Sequence, residues 1–193
     1  NLEHRASSVH CYTFCGPYKE NMDVSIGRKA SQILGIPHTT ITIKQDFFDH
    51  FEKLAAESIL ITDGTLGLSG AANLYVNRLG REISPIRITG NYGSEVLRSH
   101  IAFGPSNVMS RYLNPEYAEF IQAASTSWRE LTNCNKLTFS AFKQLPWYSF
   151  NRLQVEQSVL TIRSPFVDNE LLELLYSAPV EAASSSLVSL KLI

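Results

Sequence analysis

A mixed α/β fold, with a parallel sheet in its front half and helices alone in its back half, is predicted by three observations. Strand-like and helix-like segments alternate from residue 9 to residue 55, the grammar of a parallel sheet joined by right-handed crossovers. The short apolar run Ile86-Arg87-Ile88-Thr89 stops abruptly in Gly90-Asn91-Tyr92-Gly93-Ser94-Glu95, and α/β sheets hold their ligands in such turns, beyond the carboxyl ends of the strands. After Pro105 the apolar residues recur at helical intervals only.

The elements follow in order. Val9 to Phe14 has the composition and alternation of a strand, ended by Gly16-Pro17. From Met22 to Leu34 the residues Ile26, Ala30, Ile33 and Leu34 fall at helical spacing, with Asn21 as cap and Gly35 as stop. His38 to Ile43 reads as a second strand. Asp46 is expected to cap a helix whose apolar face is Phe47, Phe48, Phe51, Leu54 and Ala55. A loop beginning at Asp63-Gly64 and a helix reaching Gly80 lead into the strand Ile86–Thr89. Tyr117 to Leu131 and Leu137 to Val159, the latter interrupted by Pro146, read as helices, and no further strand is expected. Asp168 caps a short helix carrying Leu171, Leu172, Leu174 and Leu175, which Pro179 closes. The expected organisation is one domain with one core, residues 1–104 forming its α/β part and 105–193 its helical part.

With 44% of 193 residues hydrophobic, the chain has the means to bury a core and does not read as disordered. Seventeen basic residues against eighteen acidic ones give a net charge of −1 with no basic stripe, which argues against nucleic acid as a partner. Cys11, Cys15 and Cys134 are odd in number, and the first two are too widely spaced for a C-x-x-C pair. They read as small buried hydrophobes in a reducing compartment. The five histidines show no metal-ligand spacing. The polar start Asn1-Leu2-Glu3-His4-Arg5 is not a secretory leader, and no apolar run approaches the roughly 20 residues that span a bilayer. A soluble, cytoplasmic protein with no membrane partner is expected. The missing initiator methionine and the apolar pattern interrupted at Ile193 suggest a piece excised at both ends.

Three segments, in order, resemble the synthetase domain of the asparagine synthase family. Tyr12-Thr13-Phe14-Cys15-Gly16, followed by Asp23-Val24, Ala30 and Leu34-Gly35-Ile36-Pro37-His38, is similar to that family's second strand, helix and third strand. Thr89-Gly90-Asn91-Tyr92-Gly93-Ser94-Glu95 is similar to its Ser-Gly-x-Gly-x-Asp-Glu nucleotide turn, and Arg163-Ser164-Pro165-Phe166-Val167-Asp168 to its Arg-x-Pro-Phe-Leu-Asp signature. The family's pyrophosphate loop, Ser-Gly-Gly-x-Asp-Ser, has no counterpart. Ser69-Gly70-Ala71-Ala72-Asn73 imitates it but follows the wrong elements and is rejected. The turn itself departs from the pattern, because Asn91 and Ser94 stand where the family carries acids.

The resemblance implies a three-layer nucleotide-binding domain of the adenine nucleotide α-hydrolase type followed by a helical half. It also implies a vacant sheet position between the Val9–Phe14 and Ile86–Thr89 strands, where the family's first strand lies. The implied activity is an ATP- and Mg²⁺-dependent, AMP-forming amide ligase that adenylates a carboxylate such as aspartate for attack by ammonia or an amine, with a glutaminase domain or subunit as ammonia source. Nucleotide contacts fall to Phe14 and Cys15 through main chain and to Thr89, Gly90, Asn91, Gly93 and Ser94. Glu95 is the candidate catalytic acid, and Arg163 and Asp168 frame the pocket. Each has a blander explanation: Gly90 and Gly93 as a tight turn, Glu95 as a carboxylate at a helix start worth about 0.3–1 kcal/mol, Asp168 as a cap with Arg163 as its partner. Without the pyrophosphate loop this piece is expected to be inactive alone. The alternative reading is a degenerate, non-catalytic nucleotide- or protein-binding member of the same fold.

Overall fold

The computed structural model describes residues 9–102, 114–183 and 185–192, which form a mixed α/β protein with small parallel sheets. Strand β1 (Cys11–Cys15) leads through α1 (Met22–Leu34) to β2 (His38–Thr42), and then come α2 (Gln45–Asp49), α3 (Phe51–Thr62), α4 (Gly70–Ile83) and β3 (Ile86–Ile88). Next are α5 (Gly93–Leu97), α6 (Ala118–Thr132), α7 (Lys136–Phe139), a π-helical turn at Ser140–Gln144, α8 (Leu145–Tyr148) and α9 (Phe150–Gln157). Strand β4 (Thr161–Arg163) precedes α10 (Asn169–Tyr176), α11 (Val180–Ala183) and α12 (Leu187–Leu192). β4 corrects the expectation that no strand follows Pro105, since three residues before Ser164-Pro165 are too few for alternation to register.

Two compact units emerge: residues up to Arg87 with Asn151–Ile162, and Ile88–Phe150 with the residues from Arg163 onward. The expected boundary at residue 104 lies outside the described residues. β1 pairs with β2 in parallel, Cys11 opposite His38 and Cys15 opposite Thr42. β3 pairs with β4, where Thr161 N–H donates to Pro85 O at 2.8 Å and Thr89 N–H to Arg163 O at 2.9 Å. These bonds advance along both strands in the same sense, so this pair is parallel too. β1 and β3 belong to different sheets.

In the first unit α1 starts and stops where the sequence places it. The Asn21 side chain accepts from Val24 N–H at 3.0 Å, and Gly35 closes the helix with φ of 65°. The helix expected from Asp46 breaks at His50 instead. Asp46 is no cap: it lies in the first turn of α2 and accepts the Tyr75 hydroxyl at 2.8 and 3.1 Å. Burial first, then this bond, raises the Tyr75 pKa. The expected apolar face is only partly buried. Phe47, Leu54 and Ala55 enter a cluster with Ala71, Leu74, Tyr75, Val76 and Val155, whereas Phe48 and Phe51 stay exposed. Gly70 shows why Ser69-Gly70-Ala71 is no phosphate loop: a Cβ there would lie 1.7 Å from Ser58 Oγ, so the glycine exists to let α4 approach α3.

A buried polar group crosses this unit. The Arg87 guanidinium stands 2.7 Å from Glu156 Oε2, with side chains 17% and 7% exposed. It also donates to Asn77 Oδ1 at 2.5 Å and to the Tyr12 hydroxyl at 3.3 Å. Burial alone works against the cation, but Glu156 and Tyr12 outweigh it and raise the Arg87 pKa. Arg87 Nε and Glu156 Oε2 have no directed hydrogen bond, the latter touching the guanidinium as an ion contact only.

The second unit packs around Val96, Leu97, Leu137, Leu145, Leu172 and Leu175. Pro146 does not interrupt a helix here so much as follow a widened one. It lacks an amide and its ring crowds the carbonyl four residues back, and the π turn Ser140–Gln144 ends just before it. Asp168 caps α10 as expected, its carboxylate accepting from Glu170 and Leu171 N–H at 3.0 and 3.4 Å. Among the described residues no helix is long and apolar enough to cross a membrane.

Candidate functional site: the Thr89–Glu95 turn

The turn after β3 is built by its own main chain. Asn91 N–H donates to Thr89 Oγ1 at 3.2 Å, Gly93 N–H to Gly90 O at 3.4 Å and Val96 N–H to Tyr92 O at 2.9 Å. Between the glycines Tyr92 is left-handed, with φ of 77° and ψ of −4°. An aromatic residue held there costs about 1–3 kcal/mol and persists only where its surroundings enforce it. Nothing local in the sequence signals this, because a left-handed position in Gly90-Asn91-Tyr92-Gly93 is expected to fall on a glycine. α5 begins at once, with Glu95 half-buried in its first turn and Val96 and Leu97 buried behind it.

The Arg163–Asp168 segment docks on this turn. Thr89 N–H donates to Arg163 O at 2.9 Å, and Ser164 Oγ donates to Asn91 O at 2.9 Å. Phe166 lies over Gly93 so closely that an added Cβ would meet its ring at 3.1 and 3.2 Å. Two segments some seventy residues apart in the chain are thus joined at three points. Gly93 is needed here for close approach rather than for its backbone angles. Ser164 and Phe166 are not among the expected site residues, although both lie within the Arg163–Asp168 segment.

The remaining side chains are engaged locally. Ser94 Oγ accepts from the Arg98 guanidinium. Asn91 presents an amide, which hydrogen bonds but takes up no proton near neutral pH. Asp168 spends its carboxylate on the α10 cap, so its framework role acts through that helix start. Arg163 joins the site through its carbonyl, and its side chain is exposed.

Phe14 and Cys15 belong to the first unit, and all the other predicted site residues to the second. Cys15 is buried, its Sγ 3.6 Å from Thr42 Oγ1, and its carbonyl accepts from Ile43 N–H at 3.1 Å. The Phe14 carbonyl accepts from the Asn21 amide at 3.2 Å while its ring is exposed. Both carbonyls offered for a base edge already have one protein partner. Cys11, Cys15 and Cys134 are free thiols, Cys134 exposed rather than buried as expected.

Elsewhere in the first unit a groove of about 360 Å³ is lined by Glu57, Ile61, Arg78, Arg81, Ser158 and Val159, none of them a predicted site residue. Its arginines are engaged, Arg78 with Glu57 and Arg81 with the Val159 carbonyl. Among the described residues no group of three or more His, Cys, Asp or Glu side chains converges as a metal site. No family model, no curated protein and no solved structure matches the chain.

Proposed function

We propose that this chain is the nucleotide-binding part of an asparagine synthase-like, ATP-dependent and AMP-forming amide ligase, with the sheet arrangement of the adenine nucleotide α-hydrolases. The observation that carries this reading is the three-point junction of the Thr89–Glu95 turn with Arg163–Asp168. The two segments whose sequences resemble that family's nucleotide turn and signature are those that meet, which a chance likeness of either would not require. The strained Tyr92 supports it, since backbone outliers cluster at ligand sites.

In this reading the turn receives the ribose and phosphate of an acyl-adenylate through main chain at Gly90 and Gly93 and the amide of Asn91. Glu95 is the one acid in the turn, and as its helix-start carboxylate it is the group suited to orient an attacking amine or to accept its proton. ATP and the carboxylate are substrates. Among the described residues no group of three or more His, Cys, Asp or Glu side chains gathers as a Mg²⁺ site, so the metal would come with the phosphates of ATP. With amide and hydroxyl at Asn91 and Ser94, the acceptor need not be aspartate.

The Arg98 contact to Ser94 favours a second reading, a binding-only member that keeps the nucleotide and has lost the chemistry. Exchange of labelled pyrophosphate into ATP by the full-length protein, run across a panel of carboxylic acids with Mg²⁺, separates the two. Exchange with aspartate gives the parent reaction, and exchange with another acid a diverged ligase. Silence with all of them while AMP still binds gives the binding-only protein. Absence of both exchange and binding ends the proposal.

A further inference from the structure

We infer that Gln144 is a positioning residue for the nucleotide turn, acting from the π-helical turn through the main chain that follows α5; the inference rests on the function just proposed. Gln144 is 1% exposed, and its carboxamide makes a two-point clamp, Nε2 donating to His100 O at 3.0 Å and Oε1 accepting from Ala102 N–H at 2.7 Å. Ser140, also buried, adds its hydroxyl to His100 O at 3.4 Å. The two residues stand at the two ends of the π-helical stretch Ser140–Gln144. An α-helical turn would set positions four apart along one face at a different angle; the wider π turn aims this pair at the same carbonyl. π bulges recur at functional sites, where their cost is repaid by such placement.

What the clamp holds is the far end of α5. Ser99 is left-handed at φ of 50°, and His100 N–H and Arg98 N–H both donate to Ser94 O, at 3.3 and 3.2 Å. The short helix bearing Ser94 and Glu95 is therefore flanked by two left-handed residues that are not glycine, Tyr92 before it and Ser99 after it. Five residues of helix do not hold themselves in place. Phe166 and Ser164 fix the front of this segment, and Gln144 fixes its back. Freed of the clamp, the Ser99–Ala102 segment relaxes, and Ser94 and Glu95 lose their setting.

Gln144→Met keeps the length and volume of the side chain while deleting both hydrogen bonds, and Val155→Ala, in the core of the other unit, serves as a control for general destabilisation. Two measurements are made on the full-length protein at a temperature where every variant is folded: AMP affinity by calorimetric titration, and hydrogen exchange of individual amides. Gln144→Met is expected to weaken AMP binding by about tenfold. It should also speed exchange at Val96 and Arg98 by about tenfold, with Val155→Ala moving neither. Unchanged affinity and unchanged exchange at those amides overturn the inference. So does an equal effect of Val155→Ala. If the parent protein binds no AMP, the proposed function falls, and the exchange arm alone then decides whether Gln144 positions the turn.

Discussion

Replacing Arg87 by methionine should be among the most damaging single changes in the first unit. It leaves Glu156, whose side chain is 7% exposed, with no counter-charge. Asn77 Oδ1 and the Tyr12 hydroxyl lose their donor at the same time. Stranding one member of a buried pair costs about 3–5 kcal/mol, several times the worth of a surface ion pair, about 0–1 kcal/mol. The intact pair is a different matter. Two desolvated ions give back much of their attraction in lost hydration, so the pair is worth far less than the cost of stranding one member. Urea unfolding of Arg87→Met should therefore show a loss of about 3–5 kcal/mol with little change in slope. The Arg87→Met/Glu156→Leu double variant should recover most of it. A single-variant loss below about 1 kcal/mol, or a double variant no better than the single, would show that the pair is not the buried, mutually dependent unit described.

Three further outcomes are expected. Gly93→Ala places a Cβ 3.1 Å from the Phe166 ring and should lower stability by about 1–3 kcal/mol in thermal unfolding; a rise would mean that the ring yields and the junction is loose. Asp168→Ala removes the acceptor for Glu170 and Leu171 N–H and should cost about 1 kcal/mol by urea titration, whereas Asp168→Asn should cost less. Because burial and the Asp46 carboxylate raise the Tyr75 pKa in the folded state, Tyr75 binds its proton more tightly folded than unfolded. Its contribution is complete below the unfolded value near 10 and is lost as pH climbs from there through the raised folded value. Stability measured across that alkaline window should fall in the parent protein and fall less steeply in Tyr75→Phe; parallel curves would contradict the assignment.

Local signals carried much of the fold. Asn21 and Gly35 bracket α1 because a side-chain cap and a left-handed glycine act within one turn of chain, and Asp168 announces α10 for the same reason. Asp46 looked like another such cap, but Tyr75 lies 29 residues away in sequence and no local pattern reveals it. β4 was missed because its stability comes from pairing with β3 rather than from its own three residues. At the site, the glycines and acid of Thr89–Glu95 were legible as a turn, whereas its docking on the Arg163 carbonyl, Ser164 and Phe166 was not. The strain at Tyr92, the Ser164 hydroxyl on Asn91 O and the Gln144 clamp were not legible. Each depends on where a distant segment folds back, and a polar side chain such as Gln144 looks in sequence like any residue on a solvated helix face.

Photocrosslinking with an AMP analogue that carries its photoreactive group on the ribose, followed by peptide mapping of the full-length protein, tests most directly whether the Thr89–Glu95 turn is a nucleotide site. The labelled peptide should contain Thr89 to Glu95, and unmodified AMP should compete the label away. Label that AMP does not displace, or displaceable label confined to peptides lacking that turn, would contradict it.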